Sequence, residues 1–193
     1  MLVTDDTVLG GRDLVTVIRA AEQGGITSVQ LRMKLATAAE LARLGRAVLR
    51  AVSIPVIVND RLDVALAIGA QGVHLGPDDV PAVLARRITP PGFIIGASVG
   101  LESEVGNGTE ADYWGVGPWS RTGTKSDAGA ALGAAGFAHI AAQAGPRPCI
   151  AIGGIQPDDV ATALAAGAAG VAVVSGILGA SDVTAAARRY RAL

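Results

Sequence analysis

Eight short apolar runs, each unbroken and each followed by a helix-length stretch, constrain this 193-residue chain more than anything else in it. The runs are Leu2-Val3-Thr4, Ser28-Val29-Gln30-Leu31-Arg32, Pro55-Val56-Ile57-Val58-Asn59, Gly72-Val73-His74-Leu75, Phe93-Ile94-Ile95-Gly96-Ala97, Tyr113-Trp114-Gly115-Val116, Cys149-Ile150-Ala151-Ile152 and Gly170-Val171-Ala172-Val173-Val174. A strand that faces water on one side alternates apolar and polar residues, so unbroken runs point to strands covered on both faces, as in a parallel sheet flanked by helices. The intervening stretches are rich in Ala, Leu, Arg and Glu; Ala38 to Val52 is one and Val160 to Ala166 another, the second opened by the helix-start signal Pro157-Asp158-Asp159. Strand then helix, eight times, predicts a single (β/α)8 TIM-barrel domain over residues 1–193, with an open doubly wound sheet as the structural rival. Barrels usually take roughly 250 residues, and units of roughly 24 imply short loops. The similar phrases at 67–73 and 165–171 are helix-to-strand joints that mark unit boundaries.

Composition narrows the function classes. Sixteen basic against 17 acidic residues give a net charge of -1, and no Lys/Arg stripe is interleaved with aromatics, so nucleic acid is not an expected partner. No apolar stretch approaches the roughly 20 residues that cross a bilayer, and the N-terminus lacks a basic segment followed by an apolar one. A soluble, cytoplasmic protein is expected. The single cysteine, Cys149, lies in an apolar run and reads as a small core residue, not a nucleophile. Half the residues are hydrophobic while only 3% are aromatic, which suits a Val, Ile, Leu and Ala core with tight turns.

In a barrel of this kind ligands bind where the strands end, so the polar residues are read there. Strand 2 ends in Gln30 and Arg32 with Lys34 just beyond, an amide and two cations at alternating positions that can hold a phosphate group and a heterocycle edge. Asn59-Asp60 closes strand 3 and Asp79 follows strand 4; such carboxylates suit a hard cation such as Mg²⁺, though each also suits a helix cap. Ser98 closes strand 5, free to donate to a ring nitrogen or to cap the next turn. Thr122-Gly123-Thr124-Lys125 lies in an irregular stretch from about Pro118 to Ala130 and suits phosphate binding, without the spacing of a P-loop. Gly153-Gly154 and Val174-Ser175-Gly176 follow strands 7 and 8, where barrel phosphate sites are frequently built. His74 and His139 lack partners at zinc spacing and read as structural.

Taken in order, Gln30-Leu31-Arg32-Met33-Lys34, Val58-Asn59-Asp60-Arg61, Gly72-Val73-His74-Leu75-Gly76, Gly117-Pro118 with Thr122 to Lys125, Ala151-Ile152-Gly153-Gly154-Ile155 and Val173-Val174-Ser175 resemble the thiamine phosphate synthase family. The resemblance implies a cytoplasmic transferase that couples hydroxymethylpyrimidine diphosphate to a thiazole phosphate, or its carboxylated form, with Mg²⁺ and release of pyrophosphate. It implies that Gln30 contacts the pyrimidine and that Arg32, Lys34, Asn59 and Lys125 hold the diphosphate. Asp60 and Asp79 would ligate Mg²⁺, and Ser98 would bond the pyrimidine. Thr122, Thr124, Gly154, Val174 and Ser175 would hold the thiazole phosphate, with Arg32, Lys34, Ser98 and Lys125 as the catalytic set. The chain departs from the family pattern at Met33, Pro77, Gly100 and Ser120-Arg121.

Two other functions share this resemblance. A thiazole tautomerase on the same barrel relies on a His after strand 5, where this chain has Gly100. A noncatalytic relative would bind a thiazole or thiamine phosphate without turnover. Small phosphorylated substrates are the expected partners in each case, and a homo-oligomer is open.

Overall fold

The computed structural model describes residues 1–121 and 129–191. Its strands are β1 (Leu2–Val3), β2 (Val29–Leu31), β3 (Val56–Asn59), β4 (Gly72–Leu75), β5 (Ile94–Ser98), β6 (Tyr113–Val116), β7 (Cys149–Ile152) and β8 (Gly170–Ala172). They follow one another in sequential order in an eight-stranded sheet. This is the order the (β/α)8 class requires, whereas a doubly wound sheet reverses its order at a switch point. Between the strands lie α1 (Asp6–Leu9), α2 (Leu14–Gln23), α3 (Ala38–Ala51), α4 (Leu62–Ile68), α5 (Ala82–Ile88), α6 (Gly133–Ala141), α7 (Asp159–Ala165), α8 (Ser175–Leu178) and α9 (Val183–Arg189). No helix among the described residues is long and apolar enough to cross a membrane.

The chain divides into two compact units, Met1–His74 with Val174–Leu193, and Leu75–Val173. In the first, β1, β2 and β3 pair in parallel with Val3 opposite Gln30 and Leu31 opposite Val58. All three residues of β2 are buried, as its unbroken pattern requires. Helix α2 buries Leu14, Val17, Ile18 and Ala21, a stripe at helical spacing. It ends against α9 at Gly24, where an added Cβ would lie 2.5 Å from the Thr184 carbonyl oxygen, so only glycine permits the approach. Helix α3 opens on a capping box in which the Thr37 hydroxyl accepts from the Glu40 N–H and the Glu40 carboxylate accepts from the Thr37 N–H.

In the second unit β5, β6 and β7 pair in parallel, with Ala97 opposite Trp114 and Trp114 opposite Cys149. The expected helix after β5 is a 3₁₀ segment, Glu102–Gly108. Gly106-Asn107-Gly108 disfavours an α-helix, and Trp114 fixes the alternative by donating its indole N–H to the Gly108 carbonyl at 2.9 Å. Fully buried Phe137 of α6 meets Trp119 edge to face, ring centres 5.9 Å apart.

Candidate active site

The first unit carries a cationic strand end. Strand β2 stops at Leu31, one residue short of the apolar run, because the Arg32 N–H turns from the sheet to the Thr4 hydroxyl at 2.9 Å. The same hydroxyl donates to the Arg32 carbonyl at 3.2 Å. Gln30 lies within the strand, only 4% exposed, whereas Arg32 is half-buried and Lys34 exposed. Both cations are already held. Arg32 Nη1 stands 2.6 Å from Asp5 Oδ2, and Lys34 Nζ stands 2.5 Å from Asp60 Oδ2. The two cations after β2 are thus flanked by carboxylates from the ends of β1 and β3.

Asp60 has a backbone to match. Among the described residues it is the one non-glycine with positive φ, at 62°. Its turn closes where the Arg61 N–H donates to the Asn59 carbonyl at 2.7 Å, while the Asp60 N–H still donates to His74 at 2.8 Å. A three-residue turn with positive φ at its centre is the strained kind, and Asp tolerates that region better than most side chains. The helix-cap reading fails for Asp60, since α4 has Arg61 at its N-cap and no side-chain cap bond. Val174 and Ser175 open the four-residue α8, with Val174 half-buried and Ser175 exposed.

In the second unit Asp79 is also not a helix cap, because α5 begins after Pro81. Its Oδ2 instead accepts the Gly76 N–H at 2.6 Å, holding the turn after β4. Ser98 is the last residue of β5 and half-buried. Gly153 and Gly154 follow β7 with φ of 94° and 70°. Glycine is needed here for packing as well as for any ligand, since a Cβ at Gly154 would lie 2.9 Å from the Arg121 carbonyl oxygen. The Trp119 N–H donates to Ile152 at 2.8 Å and the Ser120 N–H to Gly153 at 2.9 Å, joining the chain after β6 to the chain after β7. Thr122, Thr124 and Lys125 lie outside the described residues.

Within the first unit the structure therefore pairs Arg32 with Asp5 and Lys34 with Asp60, while Gln30 lies inside β2 and Asn59 ends β3. Thr4 and Asp5 carry little signal in the sequence, Thr4 being the last residue of the first apolar run and Asp5 the residue after it. His139 lies on α6 and pairs with Glu102 at 2.6 Å, and His74 is buried in β4, where its carbonyl takes the Asp60 N–H. No group of three or more His, Cys, Asp or Glu side chains among the described residues could by itself cage a metal ion.

The family model described as thiamine monophosphate synthase matches residues 1–177. A protein of Moorella thermoacetica named thiamine-phosphate synthase is 47% identical over 187 residues, covering 94% of this chain and 89% of its own length. One of the same name from Azorhizobium caulinodans is 45% identical over 197 residues, covering all of this chain and 92% of itself. Among solved structures, thiamine phosphate pyrophosphorylase from Pyrococcus furiosus superposes with a TM-score of 0.86 at 35% identity, over 98% of this chain and 92% of that one.

Proposed function

The chain belongs to the thiamine monophosphate synthase family, and from that premise we propose that it is a transferase joining hydroxymethylpyrimidine diphosphate to a thiazole phosphate, with loss of pyrophosphate. The observation that carries this reading is the end of β2, where Arg32 and Lys34 stand two residues apart, each on a carboxylate. A site for a diphosphate needs cations fixed before the ligand arrives, because groups already in place need no reorganisation as charge develops.

The reaction separates charge. As the C–O bond to the diphosphate lengthens, positive charge grows on the pyrimidine methylene and negative charge on the departing pyrophosphate. Arg32 and Lys34 attract that pyrophosphate more strongly than the bound ground state, and only such a difference lowers the barrier. Asn59 adds a neutral donor at the end of β3, and Lys125 is assigned to the same group by the family resemblance. Gln30 and Ser98 orient the pyrimidine through its ring nitrogens and amino group. The thiazole nitrogen attacks with its own lone pair, so no general base is required; in-line placement is the task. That placement falls to the residues proposed for the thiazole phosphate, Thr122, Thr124, Gly154, Val174 and Ser175.

Asp60 and Asp79 are the proposed Mg²⁺ ligands. Carboxylates offered one at a time are the donors this hard cation takes when water and substrate phosphates complete its shell. Bound Mg²⁺ would supply further positive charge for the leaving pyrophosphate. Asp60 has Lys34 as its counter-ion in this structure, so a cation that takes Asp60 leaves Lys34 available to the diphosphate.

A thiazole tautomerase is disfavoured at Gly100. A Cβ there would press well inside van der Waals distance of the Gly117 carbonyl oxygen, so the imidazole that reading relies on has no room without a backbone shift. Incubating the protein with the thiazole phosphate alone, and then with both substrates, separates the readings. Thiamine phosphate formed only when both are present supports the synthase. Isomerised thiazole formed from the single substrate would overturn it.

A further inference from the structure

We infer that Asp5 is a positioning residue for the diphosphate half of the reaction, acting through Arg32 as part of a Thr4-Asp5-Asp6 cradle that fixes the chain after β2. The inference rests on the assignment of Arg32 to the diphosphate, and it adds residues which that assignment does not contain.

Three consecutive residues after β1 each hold a different part of residues 32–35. The buried Thr4 hydroxyl accepts from the Arg32 N–H and donates to the Arg32 carbonyl, at 2.9 and 3.2 Å, taking both backbone groups where the sheet ladder ends. Asp5 Oδ2 takes Arg32 Nη1 at 2.6 Å. Asp6 Oδ2 takes the Leu35 N–H at 3.2 Å. A loop residue fixed at its backbone, its side chain and three positions further on is placed as firmly as a strand residue, which is what a preorganised cation needs.

Asp5 divides its two oxygens between two tasks. Oδ1 caps α1, accepting the Thr7 and Val8 N–H groups at 3.0 and 3.2 Å, while Oδ2 faces Arg32. The cap fixes the carboxylate, and the carboxylate fixes the guanidinium. The pair is partly screened from water, with side-chain exposures of 11% for Asp5 and 18% for Arg32. A charge-assisted bond there is stronger than on the open surface. The guanidinium carries five N–H donors in a fixed fork, so a bond at Nη1 aims the remaining ones and does not exhaust them.

This division of labour gives a clean variant. Asn caps a helix as well as Asp does, so Asp5→Asn keeps the bond to α1 and the fold while removing the charge that aims Arg32. The assay is steady-state thiamine phosphate formation with each substrate varied in turn, alongside thermal unfolding. Asp5→Asn is expected to raise KM for the pyrimidine diphosphate about tenfold and to lower kcat as well, because Arg32 acts on both the bound diphosphate and the departing pyrophosphate, with KM for the thiazole phosphate and the unfolding midpoint unchanged. In an Arg32→Ala background the same substitution should add nothing, because the two residues act as one unit. An unchanged or lowered KM for the diphosphate in Asp5→Asn overturns the inference, as does an equal rise for both substrates or full additivity with Arg32→Ala. Absence of turnover in the unsubstituted protein would instead count against the proposed synthase itself, so the two failures are distinguishable.

Discussion

At Asp60 a strained backbone and an ion pair coincide. A residue at φ 62° that is not glycine persists only where its surroundings hold it, and here the Asp60 N–H is tied to His74 while its carboxylate is tied to Lys34. The residue to test is therefore Asn, which shares Asp's tolerance of the left-handed region; Ala would add strain to the loss of charge. Asp60→Asn should keep its far-ultraviolet dichroism and lose turnover by on the order of 100-fold or more. Full activity at saturating Mg²⁺ would remove Asp60 from the proposed ligands. Cys149 makes the opposite kind of prediction. It is 3% exposed, and burial pushes its thiol above the ordinary range, so little thiolate is present near neutrality. An aromatic disulfide reagent should react with it only on adding denaturant; fast labelling of the native protein would contradict its place in the core. The core role of Cys149 was legible from its apolar neighbours. The role of Asp5 was not, because its partner is 27 residues away in sequence and nothing in either segment announces the pairing.

The strands were the most readable elements. β4, β6 and β7 have the bounds that their apolar runs give, since the pattern there ends where the pairing ends. β2 stops before Arg32, the last residue of its run, because a side chain, Thr4, takes the hydrogen bonds that another strand residue would have taken. The unit after β5 is a 3₁₀ segment because two glycines and an asparagine sit where the helix would need to continue, with Trp114 packed on the second glycine. Gly153-Gly154 shows how one motif serves two purposes. Sequence suggests a backbone open to an anion, and the structure adds that the chain after β6 lies against it. Gly154→Ala should thus lower stability by about 1–3 kcal/mol through positive φ and the contact with Arg121, whether or not any ligand is present. Denaturant titration of the unliganded protein tests this, and an unchanged midpoint would show that the two segments separate without cost.

For the whole molecule, eight unbroken runs and their spacing made the (β/α)8 class legible, because burial on both faces leaves its mark on every strand residue. The candidate site was legible where charge interrupts that pattern at a strand end, as at Arg32, Lys34 and Asp60. It was not legible where a role depends on which strand ends are neighbours, a property of the sheet order and not of any local motif. The proposed reaction transfers a pyrimidine from diphosphate to a thiazole nitrogen. The direct measurement is the yield of thiamine phosphate and of pyrophosphate in one reaction mixture, with Mg²⁺ and with chelator. Both products are expected in a one-to-one ratio with Mg²⁺, and both should be lost with chelator. A folded protein that forms neither product with Mg²⁺, or releases pyrophosphate without thiamine phosphate, is not this transferase.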